Sequence, residues 1–310
     1  MVVCFHYLNF NNGIEYIIPN DEIRNYEAFG AKGVNKFYII SGFVIVYAMT
    51  NNGYKFMYYA KYVLNRIIRI IPTYAITIFA IFIFSQIICY KTFDWDWKQI
   101  LSNLTFTVDS WEGQKWINPV FITLKVEFQF YLALGLLLPI IMKNNFLKFF
   151  IYSAWLLSGR MTYEEQTFLL YSPYFITGIT LFEIYSNKEI ILNSVILACL
   201  FLFVFYYHDL QDTIIMLMTV ILILWLKINS GLIAFYGKIS YSLYLTHGLT
   251  GGWFLFFTTK DNYFHINHGF AILIALALSI LGAYFFHLLI EKPSINTGNR
   301  IRYDSGKLFS

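Results

Sequence analysis

The sequence is built from long apolar runs that short polar segments separate. Ten such runs occur, at roughly 1–10, 34–50, 72–90, 118–142, 146–159, 167–186, 190–207, 212–229, 237–257 and 269–290. A helix that crosses a bilayer needs about 20 mostly apolar residues, so the first run is too short to cross and the fifth is marginal. The pattern predicts an all-α polytopic membrane protein with about ten transmembrane helices, the first of them truncated.

The composition and the charges agree with this prediction. Hydrophobic residues make up 58% of the chain and charged residues 13%, whereas a soluble domain averages about 25% charged residues. The net charge of +4 indicates topology rather than nucleic-acid binding, because Lys and Arg gather in the loops that face the cytoplasm. With both termini in the cytoplasm, most of the 22 basic residues lie on that side, Lys143 and Lys148 among them. We therefore predict a multi-pass protein with both ends cytoplasmic.

Two segments outside the predicted spans differ from them in composition. Residues 54–71 (YKFMYYAKYVLNRIIRII) mix basic residues with aromatics and aliphatics, which is typical of an interfacial helix on the cytoplasmic leaflet. Residues 91–117 form the longest polar stretch, and its tryptophans indicate an external loop at the membrane surface. We divide the chain into a transmembrane domain, 1–293, and a short cytoplasmic tail, 294–310.

Ionisable residues inside apolar runs are candidates for function, because burying them in a membrane costs free energy. His6, Lys125, Glu127, His247 and Glu291 are such residues. For His247 we favour a structural role as a hydrogen-bonded histidine on an apolar face, and the end of a helix also explains Glu291. The three cysteines are too far apart to predict a metal site.

Arg66 and Arg69 are three residues apart and therefore share one helical face at the predicted cytoplasmic surface. Arginines bind phosphate groups bidentately, and basic helices at a membrane are also attracted to anionic lipid head groups. From the spacing alone, the lipid interpretation is favoured.

Five motifs together resemble the membrane acyltransferase-3 family. GVNKFYIISGFVI at 33–45 resembles its Gly-Val-Asp-x-Phe-Phe-x-x-Ser-Gly-Phe signature, and RIIRIIPTY at 66–74 resembles its Arg-x-x-Arg-Ile-x-Pro-x-Tyr element. TLKVEFQFY at 123–131 is similar to Ser/Thr-Leu-x-x-Glu-x-x-Phe-Tyr, and GKISYSLYLTHGL at 237–249 and LIEKP at 289–293 match the closing motifs. Each motif is weak alone, but five in the expected order over nearly the whole chain are specific.

The resemblance implies an enzyme of the bacterial inner (cytoplasmic) membrane with about ten transmembrane helices. Its donor would be a cytoplasmic acyl-CoA, usually acetyl-CoA, and its acceptor a hydroxyl on a glycan or a lipid-linked sugar. Typical products are O-acetylated surface polysaccharides such as O-antigen. The resemblance implies no metal and no permanently bound cofactor; the partners are acyl-CoA, the sugar acceptor and the lipid bilayer, and not nucleic acid.

The resemblance also assigns residues by position. His6 corresponds to the family's catalytic histidine, and Arg66 and Arg69 to the pair implicated in acyl-CoA binding. Further signature positions are Asn35, Ser41, Gly42, Glu127, Tyr131 and His247. Asn35 departs from the family, which usually has Asp there, so any role that needs a charge at this position is in question.

The chemistry of acyl transfer fits these assignments. A sugar hydroxyl needs a general base to attack a thioester, and neutral imidazole suits that task near neutral pH, so we expect His6 to be the base. A carboxylate that orients the ring or stabilises the imidazolium would act as the third member of a triad does, which makes Glu127 the second predicted catalytic residue. The arginine pair is suited to clamp the phosphates of CoA.

Other interpretations stay open at this stage. The family's first helix carries an arginine about eleven residues, or three helical turns, before the catalytic histidine, and His6 stands too early in the chain for that residue to be present. We expect the true start to lie upstream, and an inactive truncated homologue is the alternative. A transporter or flippase of a lipid-linked sugar would also carry scattered charges within its spans, but it would tolerate Gln in place of His6.

Overall fold

The computed structural model describes residues 2–9, 30, 32–87, 96–162, 166–225, 230–260 and 267–301, with only the main chain at 259 and 260. These residues form helices and no strand, so the all-α prediction is confirmed for them. The helices are α1 (Val2–Leu8), α2 (Gly33–Asn51), α3 (Tyr59–Ile87), α4 (Trp97–Leu104), α5 (Val120–Ile141), α6 (Asn145–Met161), α7 (Ser172–Tyr185), α8 (Ile190–Tyr207), α9 (Leu210–Trp225), α10 (Gly231–Thr246), α11 (Trp253–Lys260), α12 (His268–Phe286) and α13 (Lys292–Gly298). Two π-helical turns, Gly248–Gly252 and His287–Glu291, follow α10 and α12.

Each of the ten apolar runs contains a helix, but not every helix is long enough to cross a bilayer. Within the described ranges, five stretches are long and apolar enough: Gly33–Asn51, Phe56–Gln86, Val120–Ile141, Ile190–Tyr207 and His268–Gly298. The other runs form shorter helices or, at 237–257, two helices joined by a π-helical turn. Length and composition therefore support five membrane crossings, and the count of about ten stays a prediction.

The basic segment 54–71 does not form a helix of its own. After a 3-10 turn at Phe56–Tyr58 it continues into α3, a single helix of 29 residues that contains Pro72. Helices in membranes tolerate proline where neighbouring groups satisfy the freed backbone, and this helix continues past Pro72. The location of this segment at the membrane surface stays a prediction.

The described part of the predicted external loop, 96–117, is tied to α3. Asp96 caps α4 by accepting a 2.6 Å hydrogen bond from the Gln99 N–H. The hydroxyl of Tyr74, on α3, donates to the Asn103 carbonyl at 2.8 Å, and the Asn103 side chain accepts the Ile117 N–H at 3.1 Å. Residues 91–95 of this loop and 302–310 of the predicted tail lie outside the described residues.

The chain divides into two compact units. The first comprises Met1–Ala31, Ile67–Ile122 and Ile228–Arg300, and the second Lys32–Arg66, Thr123–Lys227 and Ile301–Ser310. Among the described helices, the first unit holds α1, α4, α10 to α13 and most of α3, and the second holds α2, α6 to α9 and most of α5.

Within the second unit, α2 and α7 approach so closely that only glycine fits between them. A Cβ added to Gly42 would lie 2.5 Å from the Phe175 carbonyl oxygen, and one added to Gly178 would lie 2.2 Å from the Ile39 carbonyl oxygen. Small residues allow this approach between membrane helices, where van der Waals packing drives association. The signature residue Gly42 therefore has a packing role.

A buried ion pair joins α6 to α7 in the same unit. The Nζ of Lys148 lies 2.8 and 3.0 Å from the two carboxylate oxygens of Glu183, and the two side chains are 2% and 3% exposed. We expected Lys148 in a cytoplasmic segment, and that location stays a prediction; the structure shows its charge buried against the Glu183 carboxylate on α7, 35 residues away.

Candidate active site

A pocket of about 330 Å³ in the first unit is lined by three separate parts of the chain. His6 and Tyr7 come from α1, Asn118 from the segment before α5, and His247 and Trp253 from the two sides of the first π-helical turn. Small-molecule sites have volumes of about 300–1,000 Å³, so the pocket has room for a small ligand group. Among the described residues, no group of three or more His, Cys, Asp or Glu side chains is arranged to hold a metal ion.

The two histidines of this pocket lie side by side. The ring centroids of His6 and His247 are 5.2 Å apart, and the rings are tilted by 31°. His6 is half-buried, whereas His247 is 3% exposed. The structure thus brings the predicted base together with a signature residue for which the sequence favoured a structural role.

His247 is fixed by the backbone of its own helix. Its Nδ1 lies 2.9 Å from the Tyr244 carbonyl oxygen and 3.2 Å from the Leu243 carbonyl oxygen. These hydrogen bonds involve only one of the two ring nitrogens. They account for a structural contribution of His247 and leave Nε2 for other contacts.

Tyr7 attaches α1, and with it His6, to the wall of the pocket. Its hydroxyl donates a 2.7 Å hydrogen bond to the His247 carbonyl oxygen and also contacts the Ser279 hydroxyl. A Cβ on Gly251 would stand 2.3 Å from the Tyr7 hydroxyl oxygen, so glycine is needed there. Since His6 directly precedes Tyr7, this anchor positions the predicted base.

Asn118 presents a hydrogen-bond donor near the histidines. Its side-chain oxygen accepts the Val120 N–H at 3.0 Å, as in an Asx turn. Its Nδ2 points toward Gly248, since a Cβ on that glycine would lie 3.8 Å from Nδ2. Sequence reasoning missed Asn118, because the segment SWEGQKWINP around it reads only as a polar loop.

Glu127, the second predicted catalytic residue, belongs to a different cluster in the second unit. It is 5% exposed, and one of its carboxylate oxygens accepts hydrogen bonds from the Ser41 hydroxyl, at 2.7 Å, and from the Tyr131 hydroxyl. The guanidinium carbon of Arg66 lies 5.5 Å from the centroid of the Tyr131 ring and 5.3 Å from that of Tyr62. The structure thus joins four predicted site residues: Ser41, Glu127, Tyr131 and Arg66.

Arg69 follows Arg66 on the same continuous helix, α3, and is half-buried. At a spacing of three residues the two side chains share one helical face. The structure therefore keeps the arginine pair that the sequence predicted, without a helix break between them.

Asn35, which stands where the family has Asp, faces a carboxylate. Its Nδ2 donates a 2.8 Å hydrogen bond to Asp212, and the two residues are each 7% exposed. Lys32 pairs with Asp209 and lies 3.5 Å from Asp212. An aspartate at position 35 would oppose the Asp212 carboxylate, so the asparagine suits this neighbour.

A further polar cluster surrounds Glu291, which is 6% exposed. It accepts a hydrogen bond from the Ser242 hydroxyl at 2.5 Å and lies 2.9 Å from Nδ1 of His287. The interpretation of Glu291 as the end of a helix is wrong, because the chain continues through the second π-helical turn into α13. The four-residue spacing of His287 and Glu291 is a signal that the sequence offered.

Comparison with known proteins gives one match. The family model described as an acyltransferase domain, of the acyltransferase-3 type, matches residues 1–290. No curated protein and no solved structure matches the chain.

Proposed function

Because the chain belongs to the acyltransferase-3 family, we propose that it is a membrane O-acyltransferase that moves an acetyl group from acetyl-CoA to a sugar hydroxyl. The acceptor is a surface polysaccharide, such as O-antigen, or its lipid-linked precursor. The observation that carries the proposal is the pocket in which His6 lies beside His247 and Asn118. Such a pocket combines a base with a hydrogen-bond donor, which acyl transfer requires.

In the proposed reaction the sugar oxygen attacks the carbonyl carbon of the thioester while its proton moves to the His6 imidazole. The carbon–sulfur bond then breaks, and the departing CoA thiolate takes the proton from the imidazolium, which leaves a sugar acetate ester and free CoA. A donor such as the Nδ2 of Asn118 would stabilise the negative charge that develops on the carbonyl oxygen. A general base contributes about 10²–10⁴-fold to such reactions.

In the proposed enzyme, the arginines of α3 bind the acyl-CoA donor. Arg66 and Arg69 carry fixed positive charges at a spacing that lets both approach one phosphate group. Tyr62 and Tyr131 hold the Arg66 guanidinium between them, so its orientation is set before the ligand arrives. This supports an acyl-CoA clamp over simple attraction to lipid head groups.

We extend the proposal to a location in the bacterial inner membrane, with about ten spans and both termini cytoplasmic. Contacts within the second unit support this topology, because they join residues that it assigns to the same side. Lys32 pairs with Asp209, both predicted to be external. Asn145 donates to Glu189 at 2.7 Å, and both are predicted to be cytoplasmic.

Inside-out membrane vesicles with acetyl-CoA labelled in the acetyl group test this proposal. We expect alkali-labile label in the glycan or glycolipid fraction with the wild-type chain, and none with His6→Ala. Asn118→Ala should retain about 10⁻² to 10⁻³ of the rate, the usual effect of removing one oxyanion donor. A lipid-linked sugar transporter would incorporate no label with any of the three proteins.

A further inference from the structure

The hydrogen bonds of His247 determine which of its ring nitrogens carries the proton. Nδ1 lies within hydrogen-bond distance of two carbonyl oxygens, those of Tyr244 and Leu243. Carbonyl oxygens only accept hydrogen bonds, so Nδ1 donates and is protonated. In the neutral ring, Nε2 then has a free lone pair and acts only as an acceptor.

The ring that carries this acceptor lies beside the predicted base. The centroids of His6 and His247 are 5.2 Å apart, which is close enough for an N–H···N hydrogen bond of about 2.9–3.0 Å between the ring edges. Both rings line the same pocket. A rotation about χ2 of His6, a broad torsion for histidine, aligns the two rings, and catalytic hydrogen bonds commonly tighten in this way when substrate binds.

The carboxylate first expected to orient His6 has other partners. Glu127 accepts hydrogen bonds from Ser41 and Tyr131 and belongs with them to the second unit. His247, in contrast, shares both the unit and the pocket with His6.

We propose that His247 is the positioning residue of the catalytic base: its Nε2 accepts the N–H of His6 and so fixes the tautomer in which the other nitrogen of His6 takes the substrate proton. This rests on the proposed acyltransferase function and names the residue that prepares its base. The role is the one that a buried carboxylate fills in a catalytic triad, here performed by a histidine that the helix backbone holds in a single tautomer.

Two variants of His247 separate this role from a structural one. In His247→Asn the amide N–H replaces the Nδ1 donor to the helix carbonyls. The shorter side chain has no acceptor atom at the position of Nε2. In His247→Gln the side chain is longer, and its oxygen reaches toward the Nε2 position as an acceptor that cannot take up a proton.

With acetyl-CoA and the glycan acceptor at saturation, we expect His247→Gln to keep kcat within about tenfold of wild type and His247→Asn to lose about 10²-fold or more, since a wrong tautomer of a base costs up to about 10⁴-fold. KM should change little in either variant. Equal activity of the two variants, or a more active Asn variant, would show that His247 is only structural. Complete loss in both would show that His247 itself carries the proton.

A spectroscopic measurement gives a result that does not depend on catalysis. Nitrogen-15 NMR of histidine-labelled protein in lipid bilayers distinguishes protonated from bare ring nitrogens, and the spectrum of His247→Asn assigns the His247 signals. We expect a bare Nε2 at His247, and a His6 that changes from one tautomer to a mixture in His247→Asn. A protonated Nε2, or a His6 spectrum that the substitution leaves unchanged, overturns the proposal even if the acetyltransferase assay fails.

Discussion

The Ser41 hydroxyl, on α2, donates a 2.7 Å hydrogen bond to the Glu127 carboxylate, on α5, and the Tyr131 hydroxyl donates to the same oxygen. Both donors satisfy a carboxylate that would otherwise be costly to bury. The Tyr131 ring also contacts the Arg66 guanidinium, so the hydrogen bonds of Glu127 lie next to the proposed acyl-CoA clamp.

Substitutions of Tyr131 should separate the effect of its ring on acetyl-CoA binding from the effect of its hydroxyl. Tyr131→Leu removes the ring that faces Arg66, a cation–π contact of about 0.5–2 kcal/mol, so we expect KM for acetyl-CoA to rise about 2- to 30-fold. Tyr131→Phe keeps the ring and should leave KM close to wild type. Steady-state kinetics with varied acetyl-CoA measures both, and equal KM values for the two variants would exclude a role of the ring in donor binding.

The close approach of α2 and α7 predicts that Gly178→Ala destabilises the protein. The added Cβ would lie 2.2 Å from the Ile39 carbonyl oxygen and 2.7 Å from the Phe43 nitrogen, and backbone atoms cannot move aside as a side chain does. Overpacking typically costs about 1–3 kcal/mol, which should appear as a lower Tm in detergent. Gly237→Ala is the control, because nothing lies within 4 Å of its Cβ and alanine favours the helix by about 1 kcal/mol. An unchanged Tm for Gly178→Ala would contradict this packing.

Breaking the Lys148–Glu183 pair should destabilise the protein strongly, whereas replacing both residues with apolar ones should destabilise it little. Lys148→Met leaves the Glu183 carboxylate buried without its partner, and such losses cost about 3–5 kcal/mol. Lys148→Met combined with Glu183→Leu should recover most of that stability, because well-packed apolar residues often equal a buried pair. Asn145→Ala is the comparison, since its hydrogen bond to the Glu189 carboxylate is exposed and a typical hydrogen bond contributes about 0.5–1.5 kcal/mol. A double variant no more stable than the single one would show that the pair is not a self-contained unit.

The proposed topology predicts opposite labelling at two exposed positions. In a chain whose native cysteines are replaced by serine (Cys4, Cys89 and Cys199), a membrane-impermeant maleimide should react with Asp209→Cys in intact spheroplasts. It should react with Asn145→Cys only after the membrane is permeabilised. The reverse pattern would invert the orientation, and equal labelling of both without permeabilisation would refute the assignment of the two positions to opposite sides.

Hydropathy was sufficient to locate the helices of the ten apolar runs, because lipid offers an unpaired backbone no partner and an apolar run in a membrane is therefore helical. It did not indicate α4 and α13, which lie outside those runs. It did not locate the interruptions. The segment GLTGG, Gly248–Gly252, reads as part of one span but forms a π-helical turn beside the pocket, and only its three glycines signal the change. The predicted boundary between the interfacial helix, 54–71, and the apolar run that follows it is not an interruption, since α3 continues through both.

The sequence identified residues of the candidate site, but it did not predict which of them contact one another. Motifs identified Ser41 and Glu127, yet these are 86 residues apart, and no spacing rule connects them. Tyr7 and the His247 carbonyl are 240 residues apart, so the contact that holds α1 to the pocket was equally inaccessible. Glu127 was therefore predicted to orient His6, while its observed hydrogen bonds come from Ser41 and Tyr131.

The amount of ester-linked acetate on surface glycan tests most directly whether the chain is an O-acetyltransferase that uses His6 as its base. A strain that lacks this gene is complemented with the wild-type chain, His6→Ala or His6→Gln, and membrane levels of all three proteins are matched by immunoblot. The account predicts acetate with the wild type alone, released by mild alkali and identified by mass spectrometry of the sugar. Acetate that persists at the wild-type level with both His6 variants would contradict the account, because a hydroxyl cannot be activated by a base that has been removed.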